Sequence, residues 1–306
     1  MAKILELNAE DEEKLCSVGT ALSSPARIQI LKLLYYNSYN VKEIAEKLHI
    51  PASTAALHIR TLEAADIINT KIQPGSRGSM KLCSRKHDFI NIHLSGNDPN
   101  INKIKSISMP IGCYTDCLTS PTCGLASSTK MIGYGDSPND FYLPGRINAQ
   151  ILWTSSGYVE YKFPNFLSAS IALKRLILSF EVCSEAPNYK ENWCSDITVW
   201  MNGLDCGTWR SAGDYGARRG RLNPEWWGNG VTQYGKLMTL EVTPEGTLIN
   251  SNPSSAVSLR DLHLSNETPI AIRIGNKPGA EHVGGFNIFG KQFGDFEQDI
   301  ILSMIY

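Results

Sequence analysis

The spacing of apolar residues changes near residue 100. Up to about Ile68 they recur every three or four positions; beyond about Gly112 they fall in short alternating runs broken by Gly, Pro and Asn. The first period suits one face of a helix and the second one face of a strand, so a single kind of layer cannot serve the whole chain. At 306 residues the sequence is long enough for about two cores. The predicted architecture is therefore α+β and multidomain. A helical unit spans residues 1–94, a polar linker containing "SGNDPNIN" spans 95–108, and an antiparallel β-sandwich of jelly-roll type spans 109–306.

In the first part a helix is expected near Ala9 to Leu22, behind an acidic first turn. "SSPARIQILKLLYYN" follows, with Ser24 as N-cap and Pro25 at the first helical position. "VKEIAEKLHI" and "PASTAALHIRTLEAADII" then read as a short helix, a tight turn and a second helix that opens on small polar residues. "NTKIQPGSRGSMKLCSRK" reads as a hairpin with a basic tip. Helix, turn, helix and basic hairpin in this order form a winged helix-turn-helix. Net charge is only −1, but between His58 and Lys86 six basic residues face Glu63 and Asp66. Such a local basic surface suits phosphates. The candidate DNA-binding residues are Ser53, Thr54, Leu57, His58 and Arg60 on the second helix, with Arg77 and Lys81 on the hairpin.

Residues from about Leu22 to Lys86 resemble the winged-helix domain of the ArsR-type bacterial repressors, in "LSSPARIQILKLL", "VKEIAEKLHIPASTAALHIRTLEAADII" and the basic wing. The resemblance implies a homodimer that reads a nearly two-fold-symmetric double-stranded DNA operator, with the first helix contributing to the dimer interface. Metal-sensing members carry a cysteine pair in the helix that here reads "VKEIAEKL", which has none, so their metal sensing is not inherited. The order of this reader and a domain containing "PTCG…CSEAP…RRGRLNPEWW…GGFNIFGKQFG" is similar to ArsR-like regulators of Gram-positive bacteria with a C-terminal sensor domain.

Beyond the linker, "AQILWTSSGYVEYKF", with a turn at Ser155 to Gly157, and "RLILSFEVC" read as strands. "SDITVWMNGLDCGTW" holds Asn202-Gly203, a strong hairpin signal. "DYGARRGRLNPEWWGNGVTQYG" fits neither helix nor strand, yet supplies Tyr215, Arg218, Arg219, Arg221, Trp226, Trp227 and Tyr234 in one loop. With Trp193 and Trp209 on neighbouring strands, these are the candidate ligand-binding residues. Sugars present C–H faces between hydroxyls, and sites for them pair aromatic platforms with bidentate polar side chains. The favoured effector is therefore a small polar molecule such as a carbohydrate. The same aromatics also suit a cap on the sandwich core or a subunit interface, and the sequence leaves these open.

The alternative is a thiol- or metal-responsive regulator using Cys113, Cys117 and Cys123, whose spacing matches no standard zinc knuckle. No cofactor is expected. Enzymatic activity is not expected either, because Glu185, Asp196, Asp205, Asp214 and Glu225 are not ordered into a pair by anything in the sequence. No apolar run reaches the ~18 residues of a membrane span, and the eight scattered cysteines read as thiols in a reducing cytoplasm.

Overall fold

The computed structural model describes residues 3–9, 11–74, 79–93, 104–166 and 172–306, and the chain divides into two compact units, residues 2–101 and 102–306. The first unit runs β1 (Ile4–Asn8), α1 (Glu12–Leu22), α2 (Pro25–Tyr36), β2 (Tyr39–Asn40), α3 (Val41–Leu48), α4 (Ala52–Ala64), β3 (Ile68–Pro74), β4 (Ser79–Arg85) and β5 (Phe89–His93). Its helices start where capping chemistry allows. The Asp11 carboxylate accepts the Lys14 N–H at the start of α1, and Pro25 opens α2. A reciprocal capping box joins Asn40 and Glu43 at the start of α3. His49 ends α3 in the left-handed region at φ 53°, leaving Ile50 and Pro51 as the turn into α4.

Val18, Ala21, Ile30, Leu34, Ile44, Ala55, Ile59 and Leu62 form the core of this unit, each larger side chain stabilising by ~1.5–3 kcal/mol on burial. β3 and β4 pair antiparallel, and β2 adds to the other edge of β4. The strand β1, parallel to β5, was not anticipated. It buries Leu5 and Leu7, and the helix expected from Ala9 begins at Glu12.

The second unit continues with β6 (Ile104–Met109), β7 (Asp116–Thr119), β8 (Cys123–Ala126), β9 (Met131–Ile132), β10 (Ile151–Thr154), β11 (Gly157–Phe163), β12 (Arg175–Cys183), β13 (Ser195–Met201) and β14 (Leu204–Ser211). β15 (Lys236–Val242), β16 (Thr247–Ile249), β17 (Asn252–Ser255), β18 (Ile270–Gly275), β19 (Phe286–Phe289) and β20 (Ile300–Ile305) complete it. The stretch read as linker thus ends sooner than expected, since residues 104–108 lie in β6.

A ten-stranded sheet contains the path β17-β16-β15-β12-β19-β10-β8-β9, with β20 joining β12 to β6; a five-stranded sheet has the order β14-β13-β18-β11-β7. Every described ladder of these two sheets is antiparallel. Both sheets feed one core, with Leu152, Leu178, Phe180 and Ile288 from the larger and Val159, Tyr161, Val199 and Ile272 from the smaller. This is an antiparallel sandwich. Asn202-Gly203 makes the β13–β14 turn, both residues at positive φ. The Ser155–Gly157 turn does something different: β10 belongs to the larger sheet and β11 to the smaller, so the chain crosses between layers there.

One face of the larger sheet is the shared core. The opposite face, reached by the alternate residues, is also covered. Ala126, Ile151, Cys183 and Phe289 pack there with Tyr215, Trp227 and Phe293 from loops. Loop 290–299 adds Gln298, whose amide bonds the Ser179 hydroxyl at 2.8 Å, and Asp295 and Phe296, whose N–H groups bond Glu181. β12 is therefore buried along nearly its whole length.

Candidate DNA-reading helix and candidate ligand cavity

The helix α4 is two-sided. Ala55, Ile59 and Leu62 are buried against the other helices, while Ser53, Leu57 and Arg60 are exposed and Thr54 and His58 lie half-buried at the margins. Leu57 is 60% exposed, an aliphatic side chain turned largely to solvent. Small side chains at Ala52, Ser53 and Ala56 keep the first turns slim.

The wing differs from a set of free cations. Lys81 is held 2.5 Å from Glu63 on α4, and the Thr70 hydroxyl bonds the same carboxylate. Lys81 and then Thr70 hold the Glu63 carboxyl below its usual range. Lys86 pairs with Asp66 and Arg85 with Asp88. Lys81 is thus first a strut between wing and α4, and the six basic residues give less net positive charge than their count suggests. Arg77 lies outside the described residues.

The arginine- and tryptophan-rich loop is mostly engaged with itself and with the sheet. Arg218 forms a two-point ion pair with Asp295, at 3.0 and 2.5 Å, with its guanidinium 3.7 Å from the centroid of the Tyr234 ring. Arg219 donates to the carbonyls of Trp227 and Pro224. Arg221 is buried and donates through Nε to the Asp295 carbonyl at 2.8 Å. Tyr215 stacks on Tyr234 with centroids 5.5 Å apart. These five residues, expected to face a ligand, instead fasten the loop to the outer face of the sheet, because a glycine-rich segment without a ladder must satisfy its carbonyls by side chains. Trp209 packs on the main core, and exposed Trp193 has the Lys190 ammonium 4.5 Å from its ring centroid; neither lines the two cavities below.

The adjacent tryptophans have different roles. Trp226 is 39% exposed and donates its indole N–H to the Ser128 carbonyl at 2.8 Å. Trp227 is buried, with its N–H on the Thr232 carbonyl at 2.8 Å, and meets Trp153 at 6.1 Å and 62° between rings. Those two indoles form part of the wall of a cavity of about 330 Å³ whose polar lining includes Thr122, Glu185, Asn188 and Asn287. That volume falls at the small end of ligand sites, ~300–1,000 Å³. A second cavity of about 960 Å³, lined by Ser128, Lys130, Tyr134, Gln150 and Lys291 among others, has no tryptophan in its lining.

Of the first cavity's residues only Trp227 was singled out from sequence for ligand binding. Trp153 reads there as one more apolar residue of a strand and Asn287 as part of a turn-rich stretch. Glu185 gives the one available signal, an acid two residues beyond a buried apolar strand.

Glu185 accepts hydrogen bonds from Thr122 and Asn287, both at 2.9 Å. Asp214, fully buried, accepts from the Ala186 N–H at 3.0 Å and the Thr232 hydroxyl at 2.9 Å. Burial pushes Glu185 up to about 8, with the Asp214 charge adding to it, and burial pushes Asp214 up to about 7. Both folded-state values exceed the ordinary 4.5 and 3.8. The folded state therefore holds protons that the unfolded state releases, and stability falls as pH rises through that interval, by at most ~1.4 kcal/mol per pH unit per group. The melting temperature of the β-sandwich, followed by tryptophan emission, should be higher at pH 5.5 than at pH 8, and Glu185→Gln should reduce the difference. An unchanged melting temperature would contradict this assignment.

Cys113, Cys117 and Cys123 are not assembled into a centre. Among the described residues, the one group of three side chains with metal-ligating atoms within 4.8 Å of one another is Asp196, Glu281 and His282, and Arg210 already bridges its two carboxylates. Burial raises all three thiols, Cys123 to about 11, which opposes thiolate chemistry.

Residues 24–70 match the model of the bacterial regulatory protein arsR family. An uncharacterized HTH-type transcriptional regulator of Methanocaldococcus jannaschii is 36% identical over 73 residues, which are 24% of this chain and 77% of that protein. Among solved structures, HlyU from Vibrio cholerae N16961 is 20% identical, covering 26% of this chain and 80% of that one at a TM-score of 0.22. The carbohydrate-binding module CBM36, in complex with calcium and xylotriose, is 6% identical, covering 66% of this chain and 99% of that one at a TM-score of 0.27. At such scores neither structure bears on what this chain binds. The relative from Methanocaldococcus and the matched helix-turn-helix agree with each other: the chain belongs to the arsR family of bacterial regulatory proteins.

Proposed function

We propose that this regulator reads duplex DNA as a homodimer through α4 and responds to a small polar ligand, sugar-like in chemistry, held in the cavity of its β-sandwich. The observation that carries the DNA-reading part is the solvent face of α4, where Ser53, Leu57 and Arg60 project while Ala55, Ile59 and Leu62 anchor the opposite side. A guanidinium suits guanine O6 and N7, and an exposed aliphatic side chain suits a thymine methyl. Thr54 and His58 flank that face, and Lys81 belongs to the wing. Among the described residues no helix is long and apolar enough to cross a membrane.

Arg60→Ala should weaken binding to the upstream region of the regulator's own gene by ~1–3 kcal/mol, roughly 5- to 150-fold, if the side chain meets a base edge. Titrations across salt concentrations separate this from a phosphate contact, whose loss lowers the salt slope by about one and weakens all sequences alike. Wild-type affinity in the variant overturns the assignment of α4.

For the ligand, support comes from two indoles beside the hydrogen-bonding side chains of Thr122, Glu185, Asn188, Thr232 and Asn287 in one cavity. Indole faces accept the C–H surface of a sugar while Asn and Glu side chains take hydroxyls. Control of transcription requires the ligand to prefer one geometry of the DNA-bound dimer, and a tenfold change in operator affinity takes ~1.4 kcal/mol of that preference.

A further inference from the structure

We infer that the ligand of the Trp153–Trp227 cavity carries a positively charged amine, as an amino sugar does, and that Glu185 is its counter-ion. The inference rests on the reading of this cavity as the ligand site and narrows what can fill it.

Three observations converge. First, Glu185 lines the cavity while 7% exposed, and its two oxygens meet only neutral donors, Thr122 and Asn287. Second, the charge around it is one-sided. Asp214 lies behind the same wall, bonded to Ala186 and Thr232, which themselves line the cavity, and Asp136 adds to the negative field on Glu185. No Lys, Arg or His is among the lining residues, and among the described residues neither Glu185 nor Asp214 has an ion-pair partner. Several other carboxylates do have one: Asp196 meets Arg210, Asp295 meets Arg218 and Glu160 meets Arg273, while buried Glu181 takes three backbone N–H groups instead. A buried carboxylate lacking a cation is costly unless it is protonated or a cation arrives from outside.

Third, the remaining wall is suited to an organic cation. Indole faces attract ammonium groups by ~0.5–2 kcal/mol or more when water is excluded. Ala186, Pro187 and Val231 complete the lining with apolar surface. A hard metal ion would need about six oxygen ligands, and among the described residues no group of three ligating side chains includes Glu185. Asn188 remains for the hydroxyls of a molecule of about one sugar ring.

The test uses the full chain and three probes: glucosamine, its uncharged counterpart glucose, and ethanolamine, which presents the ammonium without the ring. Tryptophan emission and thermal shift are followed at a pH where the amines are charged. Glucosamine and ethanolamine should each bind at least tenfold more tightly than glucose, and Glu185→Gln should abolish that preference. If glucose binds as tightly as glucosamine, the charge inference fails and the ligand-cavity reading stands. If none of the three is bound, both fail. Retention of the amine preference in a folded Glu185→Gln variant also overturns the inference, and should that variant not fold, the wild-type ratio decides alone.

Discussion

Glu181→Ala is expected to cost the β-sandwich roughly 3–9 kcal/mol, since each of three buried donors left without an acceptor costs ~1–3 kcal/mol. Three backbone N–H groups converge on this fully buried carboxylate: Gly235 at 2.8 Å, Asp295 at 2.9 and 3.0 Å, and Phe296 at 2.8 Å. The loop backbone comes close to Glu181: a Cβ on Gly294, at φ 73°, would lie 2.4 Å from Glu181 Oε1. The loss is comparable with the whole stability of a typical domain, ~5–15 kcal/mol. Urea denaturation followed by tryptophan emission reports it, and a loss below 1 kcal/mol would show that the loops hold without this anchor. The helical unit has its own core, so far-UV dichroism of its helices should persist in the variant.

Trp227→Ala should cost ~3–5 kcal/mol, the usual range for removing a large buried aromatic. Its neighbour provides the control. Trp226→Ala removes a half-exposed ring and one hydrogen bond to Ser128, worth ~0.5–1.5 kcal/mol. The contrast arises because Trp227 touches Phe293 at 5.1 Å and Trp153 at 6.1 Å between ring centroids and closes the apolar cluster on the outer face of the sheet. Equal losses for the two variants would mean that the loop is not fastened through Trp227.

Much of the architecture was legible because it depends on neighbours in sequence. Asn40 and Glu43, Pro25, and Asn202-Gly203 are local signals with local consequences. The helix-turn-helix and the strand-rich remainder follow from them and from the change of period. The small strand β1 was missed because its partner β5 lies 85 residues on, and the Ser155–Gly157 turn looks like a hairpin although its strands part into different sheets. The loop misled for the same reason. Its residue types are those of a sugar site, but what they do is decided by Asp295, 77 residues from Arg218. The cavity brings Thr122, Trp153, Glu185, Trp227 and Asn287 together from five separate segments, and no spacing in a linear chain announces such a meeting.

The ladder between β6 and β20 sets a timetable for biogenesis. Ser106 and Ser303 share a hydrogen bond of 2.8 Å across 197 positions of sequence, and all six residues of β6 pair with β20. On the ribosome, the helices of the first unit can settle as soon as they emerge, whereas β6 waits with an unprotected edge until nearly two hundred further residues have been made. Long-range pairing of this kind is slow to close and prone to mispairing meanwhile, so a nascent chain holds a finished helical unit well before it holds a finished β-sandwich.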